Sequence, residues 1–251
     1  MGAEIGKGII SVDMSGSWLK EQEGVVAPAT PVKDLPPEWF IDKAMNLAYK
    51  RAVSLDEYIH EVFSDWRRPA ASVSEAIKRS RNQDYWRVLG RDDIQRADLR
   101  DVNPDDFAHL RGMKVNETVT EDLRMLKDKY DLYVGSGIDY NAHNGILVQL
   151  GQNADLLTAM VLRRSRADTG VEVKMAMNFW MQSNKPRGAL VANLEDCVNT
   201  GLTLSGSSDL VAMVHPAPRN LDDYVSVIPS HIRVNTGRMT WGQRLTEVLP
   251  H

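Results

Sequence analysis

The predicted fold depends on the stretch VEVKMAMNFWM, which spans residues 171–181. Its apolar residues fall at every second position, whereas a helix would scatter them around its circumference: Val171, Val173, Met175, Met177, Phe179 and Met181. Successive side chains of a strand point to opposite faces, so this alternation predicts a β-strand. Ala176 and Trp180 on the second face indicate that the strand lies inside a sheet.

Short apolar runs separated by Gly, Pro, Asn and Ser occur on both sides of this stretch. They span residues 130–134, 146–150, 189–194, 201–204, 210–215 and 224–228. Such spacing predicts an antiparallel meander, sandwich or barrel, because parallel strands need crossover connections of about a dozen residues, usually helical. Residues 154–164 fit a helix or a strand. The strand is the preferred interpretation, and it would form a hairpin with 171–181.

The first half of the chain shows helical periodicity after a proline-spaced start. Pro28, Pro31 and Pro36 favour extended chain, because proline fixes φ and removes a hydrogen-bond donor. Three to four helices are then predicted, including helices over about 72–89 and 118–129. The predicted fold class is α+β, with an arm over 1–36, a helical region over 37–129 and a β-rich region over 130–251. Whether the last two regions share one core stays open.

Composition limits the classes of function. A net charge of −4 argues against a protein that mainly coats nucleic acid, since neutralising phosphates needs an excess of Lys and Arg. The one cysteine, Cys197, allows no intrachain disulfide, which favours the cytoplasm or another reducing compartment, with a virion as an alternative. No apolar run reaches the roughly 18–20 residues that cross a bilayer, so no integral membrane contact is predicted.

Basic residues gather near two of the predicted turns. Arg163, Arg164 and Arg166 border the first, and Lys185 and Arg187 border the second. With Lys174 they could form one basic edge that contacts phosphate, nucleic acid or an acidic partner. The preferred interpretation is that these charges protect a sheet edge from aggregation.

The loop over 135–145 holds the best catalytic candidates. Asp139 and His143 offer acid–base groups on a Gly-bounded loop, and His215 or Arg164 could join them in the fold. Asp, Asn and Gly also build tight turns, and one His with one Asp lacks the third ligand of a metal site. No phosphate-binding loop or dinucleotide fingerprint is present. The sequence therefore predicts no metal and no cofactor.

The preferred function is that of a structural or assembly protein, such as a viral coat or matrix-like subunit. Its arm and sheet edges would contact copies of itself in a homo-oligomer, and its eleven methionines suit adaptable contacts. One alternative is a small-molecule enzyme with its site in the 135–145 loop. Another is nucleic-acid binding through the edge formed by Arg163, Arg164 and Arg166. Catalytic activity is left open, with a non-enzymatic role preferred.

Overall fold

The run Gly8–Val12 forms the central strand of a seven-stranded sheet. The computed structural model describes residues 6–20, 86–99, 102, 110, 113–164, 170–228 and 233–250. All five residues of this strand are buried, as are all five of its neighbour Val191–Glu195. Strands of a parallel sheet are covered on both faces, so they read as continuous apolar runs without alternation.

Strands and helices alternate along the described chain. The strands of the large sheet are Gly8–Val12 (β1), Trp86–Gly90 (β3), Tyr130–Asp139 (β5), Ala159–Arg163 (β6), Val191–Glu195 (β7), Leu210–Met213 (β8) and Met239–Trp241 (β9). A separate antiparallel pair consists of Leu19–Lys20 (β2) and Lys114–Val115 (β4). The helices are Arg91–Arg96 (α1), Glu117–Leu126 (α2), His143–Leu150 (α3), Gly170–Asn184 (α4), Val198–Ser205 (α5), Leu221–Val227 (α6) and Leu245–Val248 (α7).

The strand order is β3-β6-β5-β1-β7-β8-β9, and every neighbouring pair is parallel except β3 with β6. Without β3, this is the doubly wound order 3-2-1-4-5-6. The chain builds outward from β1 through β5 to β6, and then returns to the other side of β1 with β7. The order therefore reverses between β1 and β7. The crevice at the carboxyl ends of such a strand pair is where ligands bind in open α/β sheets.

Apolar clusters cover both faces of the sheet. On one face, Ile10 and Val12 belong to a cluster with Leu123 of α2 and Ile146 of α3. On the other, Ile9 and Val191 pack with Met177 and Met181 of α4. A third cluster joins β8 and β9 to α5 and α6. These layers place α4 over the face of β1 and β7 toward which Glu195 points.

The predicted fold class is wrong. Helices are interleaved with strands, and the sheet is mixed and mostly parallel, so there is no helical half followed by an antiparallel sheet. The segment predicted to be an arm contributes β1, the central strand, which pairs with β5 and β7 of the region predicted to be β-rich. The division into three regions stays a prediction.

The stretch 171–181 lies within helix α4 and is not a strand. Residues 174–178 are all buried, including the polar Lys174 and Asn178, so burial does not follow the helical period here and the apolar alternation arises by coincidence. Lys174, Asn178 and Met181 share a stripe at the helical spacing of three to four. Its Met and Ala residues are also better helix formers than strand formers.

Some of the individual elements predicted from the sequence are present and others are not. The strands at 130–134, 189–194 and 210–215 and the helix near 118–129 are confirmed as elements, and residues 159–163 of the ambiguous segment form strand β6. The strands predicted at 146–150, 201–204 and 224–228 are wrong, because these residues lie in or at the end of α3, α5 and α6. Residues 86–89 form β3 and not the end of a helix. The helices predicted over 37–85 lie outside the described residues. No helix of the described part of the chain is long and apolar enough to span a membrane.

Candidate active site

Three carboxylates meet at the crevice between β1 and β7. Asp13 follows the last residue of β1, Glu195 is the last residue of β7, and Asp196 comes next. Parallel strands end at the same edge of a sheet, so these side chains converge. One oxygen from each lies within 4.8 Å of one from each of the others. All three residues are buried, with exposed fractions of 6%, 2% and 0%.

Lys174 enters this cluster from helix α4. Its Nζ lies 2.9 Å from Asp13 Oδ2 and donates to Glu195 Oε1 at 2.9 Å and Oε2 at 2.8 Å. The helix immediately precedes β7 and packs on that face of the sheet, which brings the long side chain to the strand ends. The ammonium therefore bridges the residue after β1 and the last residue of β7.

Ser136 holds the other oxygen of Asp13. The Ser136 hydroxyl, near the carboxyl end of β5, donates to Asp13 Oδ1 at 2.9 Å, and the Met14 amide donates to the same oxygen at 2.9 Å. The Asp13 amide donates to the Leu194 carbonyl at 3.0 Å, which ties its backbone to β7. Both carboxylate oxygens of Asp13 are thus fixed in direction.

The loop after Asp13 folds tightly over Asp196. Gly16 has a φ of +86°, and a Cβ there would lie 1.9 Å from Asp196 Oδ2. This position requires glycine, both for the left-handed backbone and for the close approach. The loop is anchored by Trp18, whose indole Nε1 donates to Thr120 Oγ1 at 3.0 Å. The Ser17 hydroxyl is buried and has no hydrogen-bond partner within the described residues.

The cluster carries excess negative charge. Three carboxylates against one ammonium leave two negative charges when all four groups are ionised. Burial raises the pKa of Glu195 to about 8, although the Lys174 charge acts in the opposite direction. Burial alone would lower the pKa of Lys174, but the charges of Asp13 and Glu195 outweigh it and raise that pKa. The site therefore favours an additional proton or cation.

A buried polar network fixes α4 against β7 beside this cluster. Asn178, one turn after Lys174, accepts from Asn193 Nδ2 at 3.0 Å and from the Ser208 hydroxyl at 3.2 Å through its Oδ1. Asn178 Nδ2 donates to the Ser207 hydroxyl at 2.7 Å. Asn193 lies two residues before Glu195, on the same face of the strand. These bonds position Lys174 and Glu195 relative to each other.

The donor set is made of oxygen atoms. Carboxylates of Asp13, Glu195 and Asp196 lie beside the hydroxyl-bearing loop that contains Ser15 and Ser17. Hard divalent cations such as Mg²⁺ prefer carboxylate, hydroxyl and water oxygens. A divalent cation would also balance the two excess negative charges. The residues present therefore fit Mg²⁺ in both charge and ligand type.

The catalytic candidates named from the sequence lie apart from one another. Asp139 ends β5, where its Oδ1 accepts from the Asn141 amide at 3.0 Å. His143 begins α3, with its Nδ1 2.8 Å from the Tyr140 carbonyl oxygen. His215 is exposed beyond the end of β8. Because β1 and β7 separate β5 from β8, the strands that carry Asp139 and His215 are on the order of 14 Å apart.

The basic candidates also divide between two ends of the sheet. Arg163 ends β6 and the exposed Arg164 follows it, at the carboxyl edge. Lys185 and the exposed Arg187 precede β7, at the opposite edge, where Lys185 pairs with Asp209. Arg166 lies outside the described residues. The predicted single basic edge is therefore not formed by these two groups.

Sequence reasoning missed Asp13, Ser136, Glu195 and Asp196 and treated Lys174 only as part of a basic edge. The available signal was position: an acidic residue directly follows each of two buried apolar runs, IISV before Asp13 and VANL before Glu195. That signal has meaning only in a parallel sheet, where strand ends converge.

Comparison of this chain with protein-family models, with curated proteins and with solved structures yields no match.

Proposed function

We propose that this protein is a Mg²⁺-dependent phosphoryl-transfer enzyme in which Asp13 is the nucleophile. The observation that carries the proposal is the bridge from Lys174 Nζ to Asp13 Oδ2 and Glu195, at the crevice where the strand order reverses. The bridge puts a cation beside one carboxylate suited to attack. The remaining carboxylate oxygens of the cluster, including those of Asp196, are suited to bind a metal ion.

Asp13 is the carboxylate best placed to attack a phosphorus atom. Aspartate carboxylates serve as nucleophiles in phosphoryl transfer and form aspartyl phosphates. Ser136 and the Met14 amide orient Oδ1, and Lys174 orients Oδ2, so the attacking oxygen has a fixed direction. Such orientation lowers the barrier by placing the reacting atoms in advance.

The groups around Asp13 match the charge of a phosphoryl group. Catalysis of phosphoryl transfer consists mainly of positioning and of stabilising the equatorial oxygens. The Lys174 ammonium and the Ser136 hydroxyl can each contact one of these oxygens. Asp13 and Asp196 would hold Mg²⁺, which would supply further positive charge beside the transferred group.

The same charges argue against a dinucleotide-binding role for this fold. Dinucleotide sites place a glycine-rich turn and a helix N-terminus after the first strand. In the described residues after β1, the chain forms a tight loop and strand β2, and beside the loop three carboxylates outnumber the single Lys174 ammonium. Phosphate would be repelled there unless a metal ion came first.

The proposed reaction proceeds in two balanced steps. An oxygen of Asp13 attacks phosphorus, the bond from phosphorus to the ester oxygen breaks, and the leaving oxygen takes a proton from solvent. Lys174 stabilises the negative charge that develops on the transferred group. Water then attacks the phosphorus of the aspartyl phosphate and releases a proton to solvent, and the bond to Asp13 breaks. Inorganic phosphate and the Asp13 carboxylate are the products.

A phosphoryl mimic tests this proposal without knowledge of the substrate. Fluoroberyllate binds to carboxylates that accept phosphoryl groups, and ¹⁹F NMR detects the bound species. We expect a bound resonance for the wild-type chain that requires Mg²⁺ and is lost in Asp13→Asn and in Asp196→Asn. Absence of a Mg²⁺-dependent resonance from the folded wild-type chain would overturn the proposal.

The assembly function and the nucleic-acid alternative stay predictions. For the enzyme alternative, the segment 135–145 is not the predicted loop, because residues 135–139 belong to β5 and residues 143–145 to α3. The proposed site uses Ser136 of this segment, but it does not use Asp139 or His143.

A further inference from the structure

We propose that Arg87 binds a second anionic group of the phosphorylated substrate, so that the preferred substrates are bisphosphates. This inference rests on the proposed function, because it extends the same site along the sheet edge. It concerns the side of the site toward β6 and β3, away from β7.

Arg87 lies in one row with Ser136 across three strands. Ser136 of β5 is directly opposite Leu162 of β6, and Leu162 is directly opposite Arg87 of β3. Directly opposite residues point to the same face of a sheet, so Arg87 and Ser136 share a face. Two strand spacings place their Cα atoms about 10 Å apart. Ser136 in turn contacts Asp13, so the row leads from the proposed nucleophile to a guanidinium.

The Arg87 side chain is exposed but held in place. Its Cζ lies 4.8 Å from the centre of the Tyr140 ring, a cation–π contact. The Tyr140 ring also contacts the His143 ring, with centroids 5.0 Å apart. His143 Nδ1 is 2.8 Å from the Tyr140 carbonyl oxygen, which fixes the imidazole. A guanidinium oriented in advance loses less conformational entropy when it binds an anion.

The charge of this edge suits an anion. Arg163 and the exposed Arg164 lie at the end of β6, next to β3, and Asp139 is the acid opposite Arg163 on β5. Arg163 and Asp139 are directly opposite each other and balance in charge, so the positive charge of this edge comes from Arg87 and the exposed Arg164, in a protein whose net charge is −4. No carboxylate pairs with Arg87 in the described part of the chain. Guanidinium groups bind phosphate through paired hydrogen bonds, which favours phosphate as the second group.

The spacing restricts the substrate to small, extended molecules. Asp13 follows β1, so its backbone lies three strand spacings from that of Arg87, on the order of 14 Å. The guanidinium reaches over the Tyr140 ring, just after the end of β5, which shortens the gap between the two bound phosphates to about two spacings, on the order of 10 Å. The two phosphates of a sugar bisphosphate span such a distance. A monophosphate would occupy only the end at Asp13.

Calorimetry on the Asp13→Asn chain, which prevents turnover, tests the inference. The ligands are fructose 1,6-bisphosphate and ribulose 1,5-bisphosphate, each compared with its monophosphate in the presence of Mg²⁺. We expect at least one bisphosphate to bind about ten-fold or more tightly than its monophosphate, and Arg87→Gln to remove that advantage. Arg187→Gln, an exposed arginine at the opposite edge, is the matched control and should leave the ratio unchanged.

Two results would overturn the inference. One is that neither bisphosphate binds more tightly than its monophosphate. The other is that Arg87→Gln lowers the affinity for mono- and bisphosphates equally. Fluoroberyllate capture by the chain with the native Asp13 reports separately on the proposed function, so a failed preference for bisphosphates is distinguishable from a failed nucleophile.

Discussion

Lys174 Nζ lies 2.9 Å from Asp13 Oδ2, which joins helix α4 to the residue that follows the central strand. The same ammonium donates to both oxygens of Glu195. Lys174 is 8% exposed, so the pair is shielded from solvent and from salt. Breaking a buried pair by removing one partner leaves an uncompensated charge, whereas the intact pair is close to neutral for stability.

Lys174→Met should therefore lower both activity and stability. We expect phosphoryl transfer to fall by about a hundred-fold or more, because the group that stabilises the developing charge is lost. Urea unfolding should show a lower free energy of unfolding, since three carboxylates are left together. Lys174→Met with Glu195→Gln keeps two excess negative charges and should recover stability but not activity. Full activity in the single variant would contradict the assigned role of Lys174.

Ser136→Ala should lower activity and leave the fold intact. It removes the hydrogen bond to Asp13 Oδ1, and a bond to a charged group contributes about 1.5–3 kcal/mol, or roughly ten-fold to a hundred-fold in rate. Ser136→Thr keeps the hydroxyl and should retain most of the activity. Ser183→Ala, which removes a surface hydroxyl on α4, is the control and should have no effect on the rate. Equal rates for Ser136→Ala and wild type would show that this bond does not orient the nucleophile.

The stability of the metal-free protein should fall as pH rises from about 5 to about 8. Burial raises the pKa of Glu195 to about 8 from an ordinary value of 4.5, so the folded state holds this proton more tightly than the unfolded state does. The stabilisation is present in full below the ordinary pKa and is lost as pH rises through the raised one. Thermal melts of wild type and Glu195→Gln should differ in slope over this range. Parallel slopes would contradict the raised pKa.

Gly16→Ala should disrupt the loop over Asp196. A Cβ at this position would lie 1.9 Å from Asp196 Oδ2, on a backbone with φ of +86°. Gly188 has a similar φ of +81° with nothing within 4 Å of its Cβ position, so Gly188→Ala measures the backbone strain alone. We expect Gly188→Ala to cost about 1 kcal/mol of stability. Gly16→Ala should cost more and should also weaken Mg²⁺ binding in calorimetry. Equal effects would show that the approach to Asp196 is not tight.

The sequence predicted secondary structure correctly where an element is buried on one face only. It was misleading where an element is buried on all sides. Helix α2 is amphipathic, and the helix predicted at about 118–129 from Val119, Leu123 and Leu126 is confirmed. Helix α4 is covered around most of its middle, so its period was misread as that of a strand. Strand β1 has five buried residues and no alternation, which hid it in a segment predicted to be an arm.

The candidate site could not be assembled without the strand order. Asp13, Ser136 and Glu195 are far apart in sequence and come together because β5, β1 and β7 are neighbours with their carboxyl ends at one edge. An antiparallel prediction scatters these residues to different edges. It also placed the catalytic candidates at residues 135–145. In this segment Ser136 is the residue that contacts Asp13, whereas Asp139 supports a turn and His143 supports the start of helix α3.

The most direct test of the central claim is to locate a phosphoryl group on the chain. The wild-type protein is incubated with acetyl phosphate and Mg²⁺, and any aspartyl phosphate is reduced with borohydride, which converts the residue to homoserine. Peptide mapping by mass spectrometry then identifies the position. The account predicts homoserine at position 13, dependent on Mg²⁺ and absent from Asp13→Asn. Labelling at a different carboxylate, or none at position 13 under conditions where fluoroberyllate binds, would contradict it.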